Sequence, residues 1–182
     1  MSKTKIDYGI DLGTTNSAIA SMENGKVKII KSDRFQKDTT PSCVSYNKKG
    51  KTDVGDQAVE VLNDFRNQKN QDPDCEVNDA YAEFKREMGK DHKYQSNRLG
   101  RSLTPEELSA EVLKKLRSYV REDKVNAAVI THPAKFEQFQ IDATAKAAEL
   151  AGLHCQLINE PIAASIAYGI EAKNMDGKWI VF

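Results

Sequence analysis

The chain has 182 residues, in which 27 lysines and arginines balance 27 aspartates and glutamates. This neutral balance excludes a whole-molecule field that favours nucleic acid or an anionic membrane, and no apolar run approaches the roughly 20 residues of a membrane span. The widely spaced Cys43, Cys75 and Cys155 indicate reduced thiols rather than a disulfide framework or a zinc site. Because neither a membrane span nor a signal-peptide core is present, we expect a cytoplasmic protein, and the length predicts one domain, or one domain carrying a substantial insertion.

The first predicted element is a hairpin. Apolar residues at alternate positions from Ile6 to Leu12 predict a strand with one buried face, and residues 17–21 resume an extended pattern after a Gly-Thr-Thr-Asn turn at 13–16. Such a turn can direct backbone N–H groups and two hydroxyls at an anion, while Asp11 offers a carboxylate to a hard cation such as Mg²⁺. The same turn is also ordinary hairpin chemistry, and the chain has no Walker-type phosphate motif.

More strands and a helix follow. An Asn-Gly pair at 24–25 predicts a tight turn into a strand over 27–30, so three antiparallel strands begin the fold. Segments 42–46 and 51–54 then predict a second hairpin. An apolar stripe between Asp56 and Phe65 predicts a helix after it.

Residues 66–99 are more polar and suggest a peripheral lobe, with a surface loop over 67–74. Within this lobe, a helix over 81–89 is predicted by the spacing of three apolar side chains, Tyr81, Phe84 and Met88, and by a glycine at its end. Lys85 lies beside that stripe, and the pattern by itself indicates an ordinary solvated lysine.

The second half of the chain predicts alternating helices and strands. Thr104 and Glu107 form a capping box ahead of an amphipathic helix that reaches Val120. A buried strand, an alanine-rich helix, a strand and a final helix packed on the sheet are then predicted at 125–131, 137–151, 153–158 and 162–170. Together these elements predict an α/β domain on a mixed sheet, with antiparallel strands first and crossover units later.

Three separated segments carry a family resemblance. They are Gly-Ile-Asp-Leu-Gly-Thr-Thr-Asn-Ser at 9–17, Val-Ile-Thr-His-Pro-Ala at 129–134, and Ile-Asn-Glu-Pro-Ile-Ala-Ala-Ser-Ile-Ala-Tyr-Gly at 158–169. Over essentially its whole length the chain resembles the nucleotide-binding domain of the seventy-kilodalton heat-shock chaperones, the DnaK family. The resemblance implies an actin-like ATPase (ribonuclease H-like) lobe, with a mixed sheet flanked by helices.

The resemblance also implies a domain division. Residues 1–182 would form lobe I of the ATPase domain, with a smaller peripheral α/β subdomain inserted at approximately 35–102. Because residues 179–182 are an apolar strand start with nothing after it, we expect that the sequence was cut inside a larger domain.

The matched residues imply a site for ATP or ADP with Mg²⁺. The phosphate loop would hold the β and γ phosphates, and the nucleotide-binding set comprises Gly13, Thr14, Thr15, Asn16 and Arg86. The catalytic set comprises Lys85, Glu160 and Asp11, of which Asp11 would lie near Mg²⁺ and its waters. Pro133 matches a family proline that relays nucleotide state to a substrate-binding domain.

The implied function is ATP hydrolysis coupled to the binding of unfolded client peptides, with a J-domain co-chaperone and a nucleotide exchange factor as partners. The fragment alone, which lacks the opposite wall of the cleft, is expected to be monomeric and inactive.

Two departures weaken the expected coupling between domains: Ile141 stands at a usual arginine, and 135–137 read Lys-Phe-Glu instead of Tyr-Phe-Asn. A sugar or acid kinase and an actin-like filament ATPase are the alternatives.

Overall fold

A computed structural model describes residues 6, 8–72, 79–121 and 125–171, with side chains described as far as residue 167. Within these ranges the elements, in chain order, are β1 (Tyr8–Asp11), β2 (Asn16–Glu23), β3 (Lys26–Ile30), β4 (Thr40–Pro41), β5 (Cys43–Tyr46), β6 (Thr52–Val54), α1 (Asp56–Gln71), β7 (Ala80–Ala82), a 3₁₀ helix (Phe84–Glu87), β8 (Tyr94–Ser96), β9 (Arg101–Leu103), α2 (Pro105–Ser118), β10 (Ala127–His132), α3 (Gln138–Leu150), β11 (His154–Asn159) and α4 (Glu160–Glu171).

The main sheet is mixed. Its strand order is β11-β10-β1-β2-β3, with β4 pairing with β2 at the end nearest the first turn. The β1, β2 and β3 strands are antiparallel, whereas β10 runs parallel to both β1 and β11. The helix α3 makes the crossover between β10 and β11. The predicted fold class, with antiparallel strands first and crossover units later, is therefore confirmed.

The core lies between this sheet and the helices α2 and α3. Ile10, Ile19 and Ile130 face it from adjacent strands, and each is at most 1% exposed. The capping box of α2 is formed as predicted, because the Glu107 N–H donates to Thr104 Oγ1 and the Thr104 N–H donates to a Glu107 carboxylate oxygen. The amphipathic pattern of α2 thus places its apolar side on the sheet that carries the first turn.

A second, three-stranded sheet of order β6-β5-β7 and a β8-β9 hairpin lie between β4 and α2 along the chain. The second hairpin, predicted from segments 42–46 and 51–54, is confirmed as β5 and β6. The helix α1 packs on this sheet and continues to Gln71, so the surface loop predicted over 67–74 is wrong for its first five residues. Those residues are polar because they are an exposed helical end, which apolar periodicity does not detect. The division into a subdomain at 35–102 stays a prediction.

The helix predicted over 81–89 is also wrong. Tyr81 lies in β7, where it pairs with Val44, and the 3₁₀ helix begins only after Glu83, whose φ of 58° breaks the chain direction. The apolar spacing arose because a strand residue, a residue of the 3₁₀ helix and Met88 directly after that helix are all buried. Gly89 does end this segment with a φ of 73°, in the left-handed conformation that glycine favours.

The helix α4 differs from its prediction as well. We expected its alanines to pack closely on the sheet, but Ala164 and Ala167 are exposed and only Ala163 is part buried. Ile162 and Ile166 are also 54% and 51% exposed, so much of its apolar side is uncovered. The strand predicted at 179–182 lies outside the described residues. Among the helices that the structure describes, none combines the length and apolar character needed to cross a membrane.

Candidate functional site

The turn between β1 and β2 is tightly closed. A Cβ atom added to Gly13 would lie 2.0 Å from the carbonyl oxygen of Asn16, a distance at which the backbone has to move. Asp11 at the end of β1 is exposed, as are Thr15 and Asn16 beyond the glycine. The hairpin therefore places five of the predicted site residues, all within 11–16, together at one rim of the main sheet.

Two buried serines hold this turn from behind. The Gly13 N–H donates to Ser17 Oγ at 3.1 Å, and Ser42 Oγ donates to the Gly13 carbonyl at 2.7 Å. The two hydroxyl oxygens lie 2.8 Å apart. The Ser42 N–H also donates to the Thr15 carbonyl at 2.8 Å. Nothing local in the sequence relates Ser42, a residue near β5, to a turn far back in the chain, so this role of Ser42 was not predicted.

The same turn has backbone donors without a protein acceptor. In the part of the chain that the structure describes, the backbone N–H groups of Thr14 and Thr15 donate to no protein acceptor. Successive unpaired amides in a turn form a concave site for an anion, and the neighbouring hydroxyls add further donors. This observation favours the phosphate-loop interpretation over an ordinary hairpin turn.

Lys85 reaches this turn from the 3₁₀ helix. Its ammonium group donates to the Leu12 carbonyl and lies 3.2 Å from Glu160 Oε1, and it lies 5.5 Å from the centre of the Phe136 ring. The lysine side chain is 4% exposed, so it is not the ordinary solvated lysine that the local pattern alone indicates. Burial lowers the pKa of Lys85, and the carboxylates of Glu160 and Asp11 oppose that shift because they favour the charged form.

The segment after the 3₁₀ helix is anchored to α2 and α3. Met88 is fully buried, and the Gly89 N–H donates to Glu106 in the first turn of α2. A Cβ atom at Gly89 would lie 2.7 Å from the Phe139 ring and 2.8 Å from its carbonyl oxygen. Only a glycine allows this close approach, which fixes the position from which Lys85 extends.

Two carboxylates face Lys85. Glu160 is the first residue of α4 and its side chain is 40% exposed. Asp11 accepts a hydrogen bond of 2.8 Å from the Thr131 hydroxyl at the end of β10. Because β1 and β10 are neighbouring parallel strands, their carboxyl ends meet here, which explains why residues from distant segments converge. Thr131 belongs to a segment quoted for the resemblance but had been given no role.

Two other predicted residues lie near the site without joining its contacts. Arg86 follows Lys85, but its side chain is 66% exposed and forms an ion pair with Glu83 at 3.2 Å. Pro133 comes directly after β10, and its carbonyl accepts a hydrogen bond from the Phe136 N–H. The roles assigned to these two residues stay predictions.

The donor set fits a hydrated Mg²⁺ better than a tightly ligated metal. No group of three or more histidine, cysteine, aspartate or glutamate side chains within the described ranges could hold a metal ion. Mg²⁺ keeps several waters and is commonly held by one or two carboxylates together with substrate phosphates. Asp11, beside the free amides of the turn, provides an arrangement of that kind.

The family model described as Hsp70 protein matches residues 7–182. The chain belongs to the Hsp70 family. It is 42% identical to the stromal 70 kDa heat shock-related protein, chloroplastic, of Pisum sativum, over 91% of this chain and 26% of that protein. It is 41% identical to the chaperone protein DnaK of Endomicrobium trichonymphae, over 96% of this chain and 27% of that protein. The chain thus spans about a quarter of the length of these relatives.

The resemblance to the DnaK-type chaperones is therefore confirmed. The mixed α/β sheet flanked by helices is consistent with the actin-like ATPase fold of the Hsp70 family. Family membership favours the chaperone interpretation over the sugar-kinase and filament alternatives.

Proposed function

We propose that this Hsp70 chain forms one wall of a site that binds Mg-ATP and hydrolyses it, within a chaperone that couples nucleotide state to the binding of unfolded peptides. The observation that carries the proposal is the position of Lys85. Its buried ammonium group contacts the Leu12 carbonyl and Glu160, and Leu12 directly precedes the turn that has two free amides. A buried cation beside unpaired donors is complementary to a phosphate chain.

The turn would hold the β and γ phosphates. The N–H groups of Thr14 and Thr15, their hydroxyls and the side chain of Asn16 supply the donors, and Gly13 allows the turn to close tightly enough to present them. Such fixed donors stabilise charge on phosphate oxygens without reorganising during the reaction.

Asp11 would hold Mg²⁺ through water, and the hydrogen bond from Thr131 fixes the orientation of its carboxylate. When bound, Mg²⁺ neutralises charge on the phosphates. Asp11 also favours the charged form of Lys85, so one carboxylate serves both cations.

Lys85 and Glu160 would act on the transferring phosphoryl group and on water. Phosphoryl transfer depends mainly on positioning and charge stabilisation, so a fixed ammonium group at the γ phosphate is the main contribution required of the lysine. Glu160 is part exposed, which lets its carboxylate contact a water molecule as well as Lys85.

Further assignments belong to the same proposal. Arg86 would contact nucleotide, Pro133 would relay nucleotide state, and residues 35–102 would form a peripheral subdomain. The partners would be unfolded client peptides, a J-domain co-chaperone and a nucleotide exchange factor, and the protein would act in the cytoplasm. Cell fractionation tests the compartment.

Calorimetric titration of the complete protein with Mg-ATP, and of residues 1–182 separately, tests the function. We expect micromolar or tighter binding by the complete protein and weak or no binding by the fragment, since the fragment supplies one wall only. Micromolar binding by the fragment would contradict the one-wall description. Hydrolysis by the complete protein should rise when unfolded peptide and a J-domain protein are added. Transfer of phosphate to a metabolite, or nucleotide-dependent sedimentation of filaments, would instead support the kinase or filament alternative.

A further inference from the structure

Gly13, Ser17 and Ser42 form a closed ring of hydrogen bonds. The Gly13 N–H donates to Ser17 Oγ, the two serine oxygens are 2.8 Å apart, and Ser42 Oγ donates to the Gly13 carbonyl. Each serine hydroxyl has one proton to donate. Because Ser42 uses its proton on the Gly13 carbonyl, Ser17 must donate to Ser42. The direction of the ring is therefore determined, and each of its groups is satisfied by the next.

We propose that Ser42 is a positioning residue for the phosphate loop, acting through the peptide unit between Gly13 and Thr14. The carbonyl of Gly13 and the N–H of Thr14 belong to one planar trans peptide, so they point in opposite directions. When Ser42 holds the carbonyl toward the protein interior, the Thr14 N–H is directed away from it. That N–H is one of the two free donors of the turn.

Burial makes this arrangement hard to replace. Ser17 is 1% exposed and Ser42 is 3% exposed, so solvent water has little access to the ring. Hydrogen bonds in such surroundings strengthen one another, and a group that loses its partner there stays unsatisfied. Removing the Ser42 hydroxyl leaves both the Gly13 carbonyl and the Ser17 proton without their partners.

Ser42 also lies at the junction between the two sheets. Thr40 of β4 pairs with Ser17 of β2 in the main sheet, and β5 of the three-stranded sheet begins at Cys43. The Ser42 N–H holds the Thr15 carbonyl in addition. The phosphate loop is thus aligned by the residue that connects the sheets, and not only by the hairpin that contains it.

This inference rests on the proposed nucleotide site, and its test compares two nucleotides. We would measure the affinity of the complete protein for Mg-ADP and for AMP, which lacks the β and γ phosphates, by calorimetry. Ser42→Ala should weaken Mg-ADP binding about tenfold, as expected for a lost hydrogen bond of a buried group, and change AMP binding less than about twofold. The matched control is Ser45→Ala, a buried serine of β5 that pairs with Asp53 and Ala80, which should change neither affinity.

The outcomes separate the two proposals. If the unaltered protein does not bind Mg-ADP, the proposed function is wrong. If it binds but Ser42→Ala binds Mg-ADP equally well, or loses Mg-ADP and AMP affinity to the same extent, Ser42 has no positioning role. Should Ser42→Ala fail to fold, Ser17→Ala opens the same ring from within the hairpin. If Ser17→Ala loses affinity for Mg-ADP only, the positioning role of the ring is supported. If it loses affinity for Mg-ADP and AMP equally, that role is overturned.

Discussion

The ammonium group of Lys85 donates a hydrogen bond to the carbonyl oxygen of Leu12, which joins the 3₁₀ helix to the end of the first strand. The same ammonium group pairs with Glu160 at the start of α4. A single side chain therefore connects three segments that are far apart in the sequence, and the proposed phosphate loop begins at the residue after Leu12.

Lys85→Ala should leave Mg-ATP binding within a few-fold of the original and reduce single-turnover hydrolysis about a hundredfold or more, as is typical when one fixed transition-state donor is removed. The reason is that, in the proposed mechanism, the lysine acts on the transferring phosphate and not on the adenosine. Lys90→Ala is the control, because Lys90 is 49% exposed and pairs only with nearby Glu87 among the described residues. An unchanged rate in Lys85→Ala would remove the lysine from the mechanism.

Asp11→Asn should weaken the dependence of hydrolysis on Mg²⁺, so that more Mg²⁺ is needed to reach half of the maximal rate. An amide cannot supply the negative charge that a hydrated divalent cation favours. Thr131→Val keeps the carboxylate but removes the hydrogen bond to it, so it should cause a smaller shift in the same direction. Equal Mg²⁺ requirements in all three proteins would count against Asp11 as the metal-side residue.

Gly13→Ala should abolish measurable Mg-ATP binding by calorimetry, because the new Cβ atom would lie 2.0 Å from the Asn16 carbonyl and the loop would have to open. Gly25→Ala is the comparison. Gly25 has a φ of 75° but open space around it, so the substitution there should cost about 1 kcal/mol of stability without changing nucleotide affinity. Normal binding by Gly13→Ala would show that the tight turn is not required.

Gly89→Ala should slow hydrolysis more than it weakens binding, because the clash with Phe139 displaces the segment that carries Lys85. Gly100→Ala imposes a similar strain, with a φ of 63°, but meets no neighbouring atom within 4 Å. Steady-state kinetics measure both variants. If hydrolysis slows to the same extent in Gly89→Ala and Gly100→Ala, backbone strain alone is responsible.

The alkaline limit of stability should depend on Cys43. Burial raises the pKa of this thiol from its ordinary value of 9.0 to about 11. A raised pKa in the folded state contributes stability that is fully present below pH 9.0 and is lost as the pH rises through about 11. The loss for this single group is about 2–3 kcal/mol. The free energy of unfolding, measured by denaturant titration, should therefore fall less between pH 8 and 11 in Cys43→Ala than in the unaltered protein, whatever the two values at pH 8. An equal fall in both proteins would contradict this expectation.

Periodicity in the sequence predicted most of the sheet and the helices that cover it. Alternation in β1, the capping box of α2 and the alanine-rich α3 each have a local cause, so local pattern was sufficient. The segment around Lys85 was wrongly predicted as one helix. Its buried apolar side chains happen to be three and four residues apart, although the first lies in a strand and the next in a 3₁₀ helix. Burial of that kind depends on partners in other segments, such as Val44 for Tyr81.

The candidate site, like the fold, could be predicted from the sequence only where its residues are close together in the chain. Asp11 and the loop are contiguous, so their juxtaposition follows from the hairpin. Lys85 and Glu160 could be assigned through the family resemblance, but the pattern around Lys85 indicated a solvated side chain, because its partners Leu12 and Glu160 lie far from it in the sequence. Ser42 and Thr131 make specific hydrogen bonds that no spacing rule anticipates.

The closed ring of Gly13, Ser17 and Ser42 has a consequence for evolution. When either hydroxyl is lost, the other is left with an unsatisfied buried group, so a second change costs less than the first. The residues at positions 17 and 42 should therefore co-vary. Among relatives that keep the glycine, we expect both hydroxyls to be retained together or replaced together, and an alignment in which the two columns vary independently would contradict the ring.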